Sequence, residues 1–169
     1  MKNETKGIAP LILAIVVIVV AASVGVGAYV VTRGGGTGGT DGTSGGDIGS
    51  ATNLSFDMTN TSPAMTLAFK AKDIGSSSLK LRMEGTYLGS EFGCILNGAL
   101  EKCWMSYGGT WTDVSSMYST WWDTFSTMFS GLQTDLGSWT GSGNVVAGTV
   151  TISNISTATL ADSLFADPT

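Results

Sequence analysis

The stretch NLSFDMTNTSPAMTLAFKAK, residues 53–72, decides the fold. Leu54, Phe56 and Met58 alternate with Ser55, Asp57 and Thr59. After the turn Asn60-Thr61-Ser62-Pro63, Met65, Leu67, Phe69 and Ala71 share one face while Lys70 and Lys72 take the other. Successive side chains of a strand point to opposite sides, so a period of two marks a strand with one buried and one wet face. Two such strands joined by a short turn form an antiparallel pair. Asp73-Ile74-Gly75-Ser76 turns the chain again, and Leu79, Leu81 and Met83 then alternate with Lys80, Arg82 and Glu84 as a third strand. The cations of these strands read as a solvated outer face.

Downstream, residues 91–107 read as a hairpin turning at Asn97-Gly98-Ala99. Whichever pair forms that turn, Cys94 and Cys103 fall on one face, directly opposite or diagonal, so a disulfide between them is expected. Closing so short a loop would stabilise the domain by roughly 2–3 kcal/mol. Gly108-Gly109 ends the hairpin, and Asp113 or Ser115 can cap a helix. Val114, Met117, Tyr118, Trp121, Trp122, Phe125, Met128, Phe129 and Leu132 then recur at spacings of three and four, the stripe of a helix lying on an apolar surface. Burying that stripe brings roughly 15–25 kcal/mol of gross stabilisation, which suffices to explain it as core. Its density of Trp, Phe and Met also suits a lid over a pocket for a lipid-like ligand. The candidate lining of such a pocket is Phe56, Phe69, Met83, Trp121, Trp122, Phe125, Met128 and Phe129. Residues 137–143 read as a loop, 145–156 as a strand returning to the sheet, and LADSLF at 160–165 as a short apolar end. The fold class expected for residues 51–169 is therefore α+β, a curved antiparallel sheet or incomplete barrel with one amphipathic helix packed on it.

Upstream, residues 34–50, GGGTGGTDGTSGGDIGS, are more than half Gly, and 33–50 reads as a flexible linker that cannot bury enough apolar area to fold. Gly34, Gly36 and Gly39 match G-x-G-x-x-G, and Gly42, Ser44 and Gly46 match G-x-S-x-G, but neither pattern has the strand and helix its chemistry needs. Before the linker, Ile8–Thr32 contains no charged side chain. At ~1.5 Å rise per residue it makes a helix of roughly 37 Å, long enough to cross a membrane. Lys2 and Lys6 precede it and only Arg33 follows closely. That bias leaves residues 1–7 cytoplasmic and residues 51–169 extracytoplasmic, on a single-pass signal anchor at 8–32 in the cell membrane. Ala21-Ala22-Ser23 offers a signal-peptidase site, although the uninterrupted apolar length favours retention.

Two resemblances add to this reading. KGIAPLI at 6–12 looks like the leader junction of archaeal type IV pilin-like proteins, which implies processing after Gly7 and an apolar helix that enters a filament core. Pilin-like subunits continue that helix into the head, whereas Gly34-Gly35-Gly36 ends it here. KAKDIGSSSLKLRMEG at 70–85, ILNGALEKCWMSYGGTW at 95–111 and DSLF at 162–165 resemble the lipoprotein-carrier and lipid-binding half-barrel family. That resemblance implies a concave apolar face holding acyl chains under helical segments. The carriers shuttle freely, whereas this chain reads as tethered and has no lipobox Cys after the span.

Charge and composition narrow the function further. Residues 34–169 carry five basic and twelve acidic side chains, net −7, which disfavours nucleic acid and anionic surfaces as partners. The chain has no His, so it lacks an acyl-transfer triad and any His-ligated metal. Its carboxylates fall singly on strands and loops, so no catalytic residue, metal site or cofactor is expected. Asn53, Asn60 and Asn154 each head an N-x-[ST] triplet and are candidate glycosylation sites; a fourth triplet at Asn3 lies on the inner side. The expected function is a membrane-anchored, non-enzymatic binding protein for an apolar or lipid-like ligand. A structural or interaction protein of the cell envelope, such as a pilin-like filament subunit, is the alternative.

Overall fold

The computed structural model describes residues 48–136, 144–147 and 149–169. The expected span at 8–32, the processing sites at Gly7 and Ala22, the linker up to 47 with its two glycine patterns, and the 137–143 loop lie outside these residues. Among the described residues no helix is long and apolar enough to cross a membrane.

The chain forms β1 (Asn53–Thr61), β2 (Ala64–Lys72), β3 (Lys80–Tyr87), β4 (Ser90–Asn97), β5 (Lys102–Tyr107), β6 (Thr110–Asp113), α1 (Tyr118–Asp135), β7 (Val145–Ala147) and β8 (Val150–Ser156). All eight strands join one curved, open antiparallel sheet in the order β6-β5-β4-β3-β2-β1-β8-β7. The alternation read from 53–84 sets the register. Phe56 lies opposite Phe69, Phe69 opposite Met83, Met83 opposite Cys94 and Cys94 opposite Met105, a single buried rung across five strands. Helix α1 packs Trp121, Phe125, Met128, Phe129 and Leu132 into the same core.

Four features depart from the sequence reading. Strand β6 is additional: Leu88-Gly89 and Gly108-Gly109 both have positive φ at each residue, as two-residue hairpin loops require, so Gly108-Gly109 turns the sheet onward rather than ending it. The single late strand is two, β7 and β8, paired with each other. The helix begins at Tyr118, after a 3-10 turn at Ser115–Met117. Asp113 Oδ1 accepts the Ser115 N–H at 2.8 Å, an Asx-type turn leading into the 3-10 turn, and does not cap the helix. Finally, residues 48–50, within the stretch read as linker, form a 3-10 turn. Ile48 is buried, and Gln133 Nε2 on α1 donates to the carbonyls of Ile48 and Ala51 at 3.2 and 2.7 Å.

The outer face of the sheet is also covered, which corrects the reading of its cations as simply solvated. The tail crosses it as an extended segment ending in a 3-10 turn at Asp162–Phe165. Lys72 Nζ donates to Leu160 O at 3.1 Å, Arg82 Nη1 to Leu164 O at 2.9 Å and Asn97 Nδ2 to Phe165 O at 3.2 Å. Asp162 sits between Lys72 and Lys80, at 3.1 and 2.6 Å. Phe165 is fully buried on this side, separate from the main core, as are the cross-strand partners Ile95 and Trp104.

Candidate functional site

Helix α1 carries a second line of side chains beside the one that faces the core. Trp122, Ser126, Phe129, Ser130 and Gln133 follow helical spacing along one edge. With Ile74, Ser76 and Leu79 of the β2–β3 connection they line a cleft of about 290 Å³. Ile74, Leu79 and Phe129 are buried at its base, Trp122 is half-buried, and Ser76 and Ser130 are exposed at its rim. Trp122 is held in place by its neighbours. It stacks on Tyr118 with ring centroids 5.9 Å apart, and a Cβ on Gly98 would come within 2.8 Å of its Cζ3. Gly98 is thus needed for the ring to approach the β4–β5 turn. No lining residue is charged. The cleft therefore offers an apolar base and hydroxyl and amide groups at the edge, without an acid, base or nucleophile–base pair.

Of the eight candidate pocket residues, only Trp122 and Phe129 line this cleft. Phe56, Phe69, Met83, Trp121, Phe125 and Met128 are fixed in the packed core. Phe56 and Phe69 stack at 4.8 Å, and Trp121 and Phe125 at 5.7 Å, so these rings fill the space between sheet and helix. Ile74, Leu79 and Gln133 were missed as lining residues. The available signal was an apolar Ile within the turn Asp73-Ile74-Gly75-Ser76, where an exposed turn would carry a polar residue.

The structure carries Cys94 and Cys103 as free thiols, both buried. The loop between β4 and β5 spans residues 98–101, with Glu101 in the left-handed region at φ 52°, so it is longer than the tight turn expected. The added residues place Cys94 opposite Met105 and Cys103 opposite Leu96, leaving the thiols as diagonal neighbours on one face. Contact with the Cys103 thiol and complete burial push the Cys94 thiol well above its ordinary range.

The three sequons differ in access. Asn60 is buried, with its Oδ1 accepting the Ser62 N–H at 3.3 Å. Asn53 is half-buried, and its Oδ1 accepts the Leu160 N–H at 3.2 Å. Asn154 is exposed at φ 54°, where β8 bulges against β1, and its Nδ2 donates to Asp57 Oδ2 at 2.7 Å. The folded domain therefore presents Asn154 and withholds Asn60. Comparison with known protein families, curated proteins and solved structures returned no match for this chain.

Proposed function

We propose that this chain is a membrane-tethered, extracytoplasmic binding module, non-enzymatic, that takes one short apolar or lipid-like chain in the cleft between α1 and the β2–β3 connection. The observation that carries the reading is the uncharged cleft of about 290 Å³ based on Ile74, Leu79, Trp122 and Phe129. That volume lies at the lower end of the roughly 300–1,000 Å³ range of small-molecule sites, so it suits a single chain or the end of a longer one. Burying about 200 Å² of hydrocarbon there contributes about 5 kcal/mol before association costs, which points to weak, exchangeable binding. In an extracytoplasmic setting the diagonal thiols are placed to oxidise to a bridge. The filled interior favours, as a second reading, an interaction protein of the envelope; a mature N-terminus at Ile8 would support its filament form.

Native mass spectrometry of the full chain purified from its own membrane tests the binding reading. The expected result is a co-purifying lipid-like mass that disappears in Ser126→Trp, which fills the cleft from its edge. Absence of any such adduct, together with no uptake of a fluorescent fatty acid, would overturn it.

A further inference from the structure

The outer face of the sheet carries a second recess, distinct from the apolar cleft and joined to the docked tail through Arg82, which donates to Leu164 O and pairs with Glu84. Glu84 lies opposite Gly93, Gly93 opposite Ser106 and Ser106 opposite Trp111, a single rung across β3, β4, β5 and β6. Two residues along, Thr86 lies opposite Glu91, whose carbonyl accepts the Gly108 N–H at 3.0 Å and draws the β5–β6 turn alongside. Together these residues line a groove of about 330 Å³.

The small residues in the rung shape it. A Cβ on Gly93 would lie 2.7 Å from Trp111 Cη2, so glycine lets the indole ring lie down against the sheet. Trp111 is only half-buried there and lines the groove. Ser106 adds a hydroxyl, Thr86 another, and Glu84 and Glu91 add carboxylates. Arg82 Nη2 pairs with Glu84 Oε1 and keeps that carboxylate ionised, below its usual range. Its second oxygen has no hydrogen-bond partner among the described residues. No cationic side chain lines the groove.

An aromatic ring beside hydroxyls and carboxylates, of which Ser106 is buried and Glu84 is held by Arg82, matches a pyranose. The negative face of an indole attracts the polarised C–H groups of a sugar ring, and carboxylates and hydroxyls accept and donate to its rim of O–H groups. Arg82 offsets the charge of Glu84, and the Glu91 carboxylate leaves the groove net negative, which disfavours acidic sugars and phosphates. We propose that the groove bounded by Trp111, Glu84 and Glu91 is a binding site for a neutral or amino sugar. It is separate from the apolar cleft, and neither site requires the other.

Saturation-transfer NMR on the full chain tests this, with methyl glucoside, methyl mannoside, methyl galactoside, N-acetylglucosamine, glucuronate and tetramethylammonium as probes. At least one neutral or amino sugar is expected to bind and glucuronate is not. Trp111→Ala should weaken that binding at least tenfold and Glu91→Gln, at an exposed position, several-fold, while Trp122→Ala should leave it unchanged. Glu91→Gln keeps the test valid if Trp111→Ala fails to fold. The site is overturned if no sugar binds, if both groove variants bind as well as the wild type, if glucuronate is preferred, or if only tetramethylammonium binds.

Discussion

Trp121 makes a specific demand on the core. Its Nε1 is buried and has no hydrogen-bond partner among the described residues, while its ring stacks on Phe125. A buried N–H without an acceptor costs about 1–3 kcal/mol, and the cavity left by a smaller ring costs a similar amount. Trp121→Phe exchanges one for the other and is expected to change stability by less than about 1 kcal/mol, whereas Phe125→Ala, a plain loss of buried volume, should cost about 3–5 kcal/mol. Urea denaturation of the two variants checks the contrast. Cys94 and Cys103 invite a second measurement at this scale. The thiolate is the reactive form, and Cys94 is fully buried with its titration raised. In the reduced, folded protein at pH 8 iodoacetamide should label neither cysteine, and it should label both after unfolding. Rapid labelling of the folded protein would show that the β4–β5 hairpin opens.

Among the elements, the tail is the one that sequence reasoning undervalued. LADSLF at 160–165 looks like an apolar end because its partners lie far away in the chain. Lys72, Lys80, Arg82 and Asn97 meet it only once the sheet has formed, and nothing in local spacing announces such a contact. Phe165→Ala should cost about 3–5 kcal/mol, since the side chain is entirely buried. The clamp also has a pH window. The hydrogen bond from Lys80, then that from Lys72, holds the Asp162 carboxyl below its ordinary value of 3.8. Its contribution is therefore present above that value and is lost as pH falls through the lower folded one. Lys80 is raised from 10.5, chiefly by Asp162, so its contribution is complete below 10.5 and lost as pH rises past the folded value. Protection of residues 160–165 against hydrogen exchange, relative to the intrinsic rate at each pH, should fall below about pH 4 and again above about pH 10.5 before that of the core strands. Simultaneous exposure of tail and core would contradict a separately held strap. Strand β6 was missed for a different reason: Thr110-Trp111-Thr112-Asp113 has no apolar alternation, and only the Gly108-Gly109 loop signals that the chain turns back.

At the scale of the whole molecule, the antiparallel sheet and its helix were legible because period-two and period-3.6 patterns are local and one face of each is buried. The cleft was not. Most of the aromatic residues chosen as its lining are consumed in filling the core, and periodicity cannot distinguish a side chain that fills an interior from one that borders a void. The cleft arises where α1 passes the β2–β3 connection, a contact between segments far apart in the sequence. The central claim is that this cleft takes an apolar chain beside Trp122. Quenching of tryptophan fluorescence by a brominated dodecanoate, titrated below its micelle concentration, addresses it directly. Binding beside Trp122 requires saturable quenching in the wild type, and that quenched component should be absent in Trp122→Phe. No saturable quenching, or the same quenching in both proteins, would contradict it.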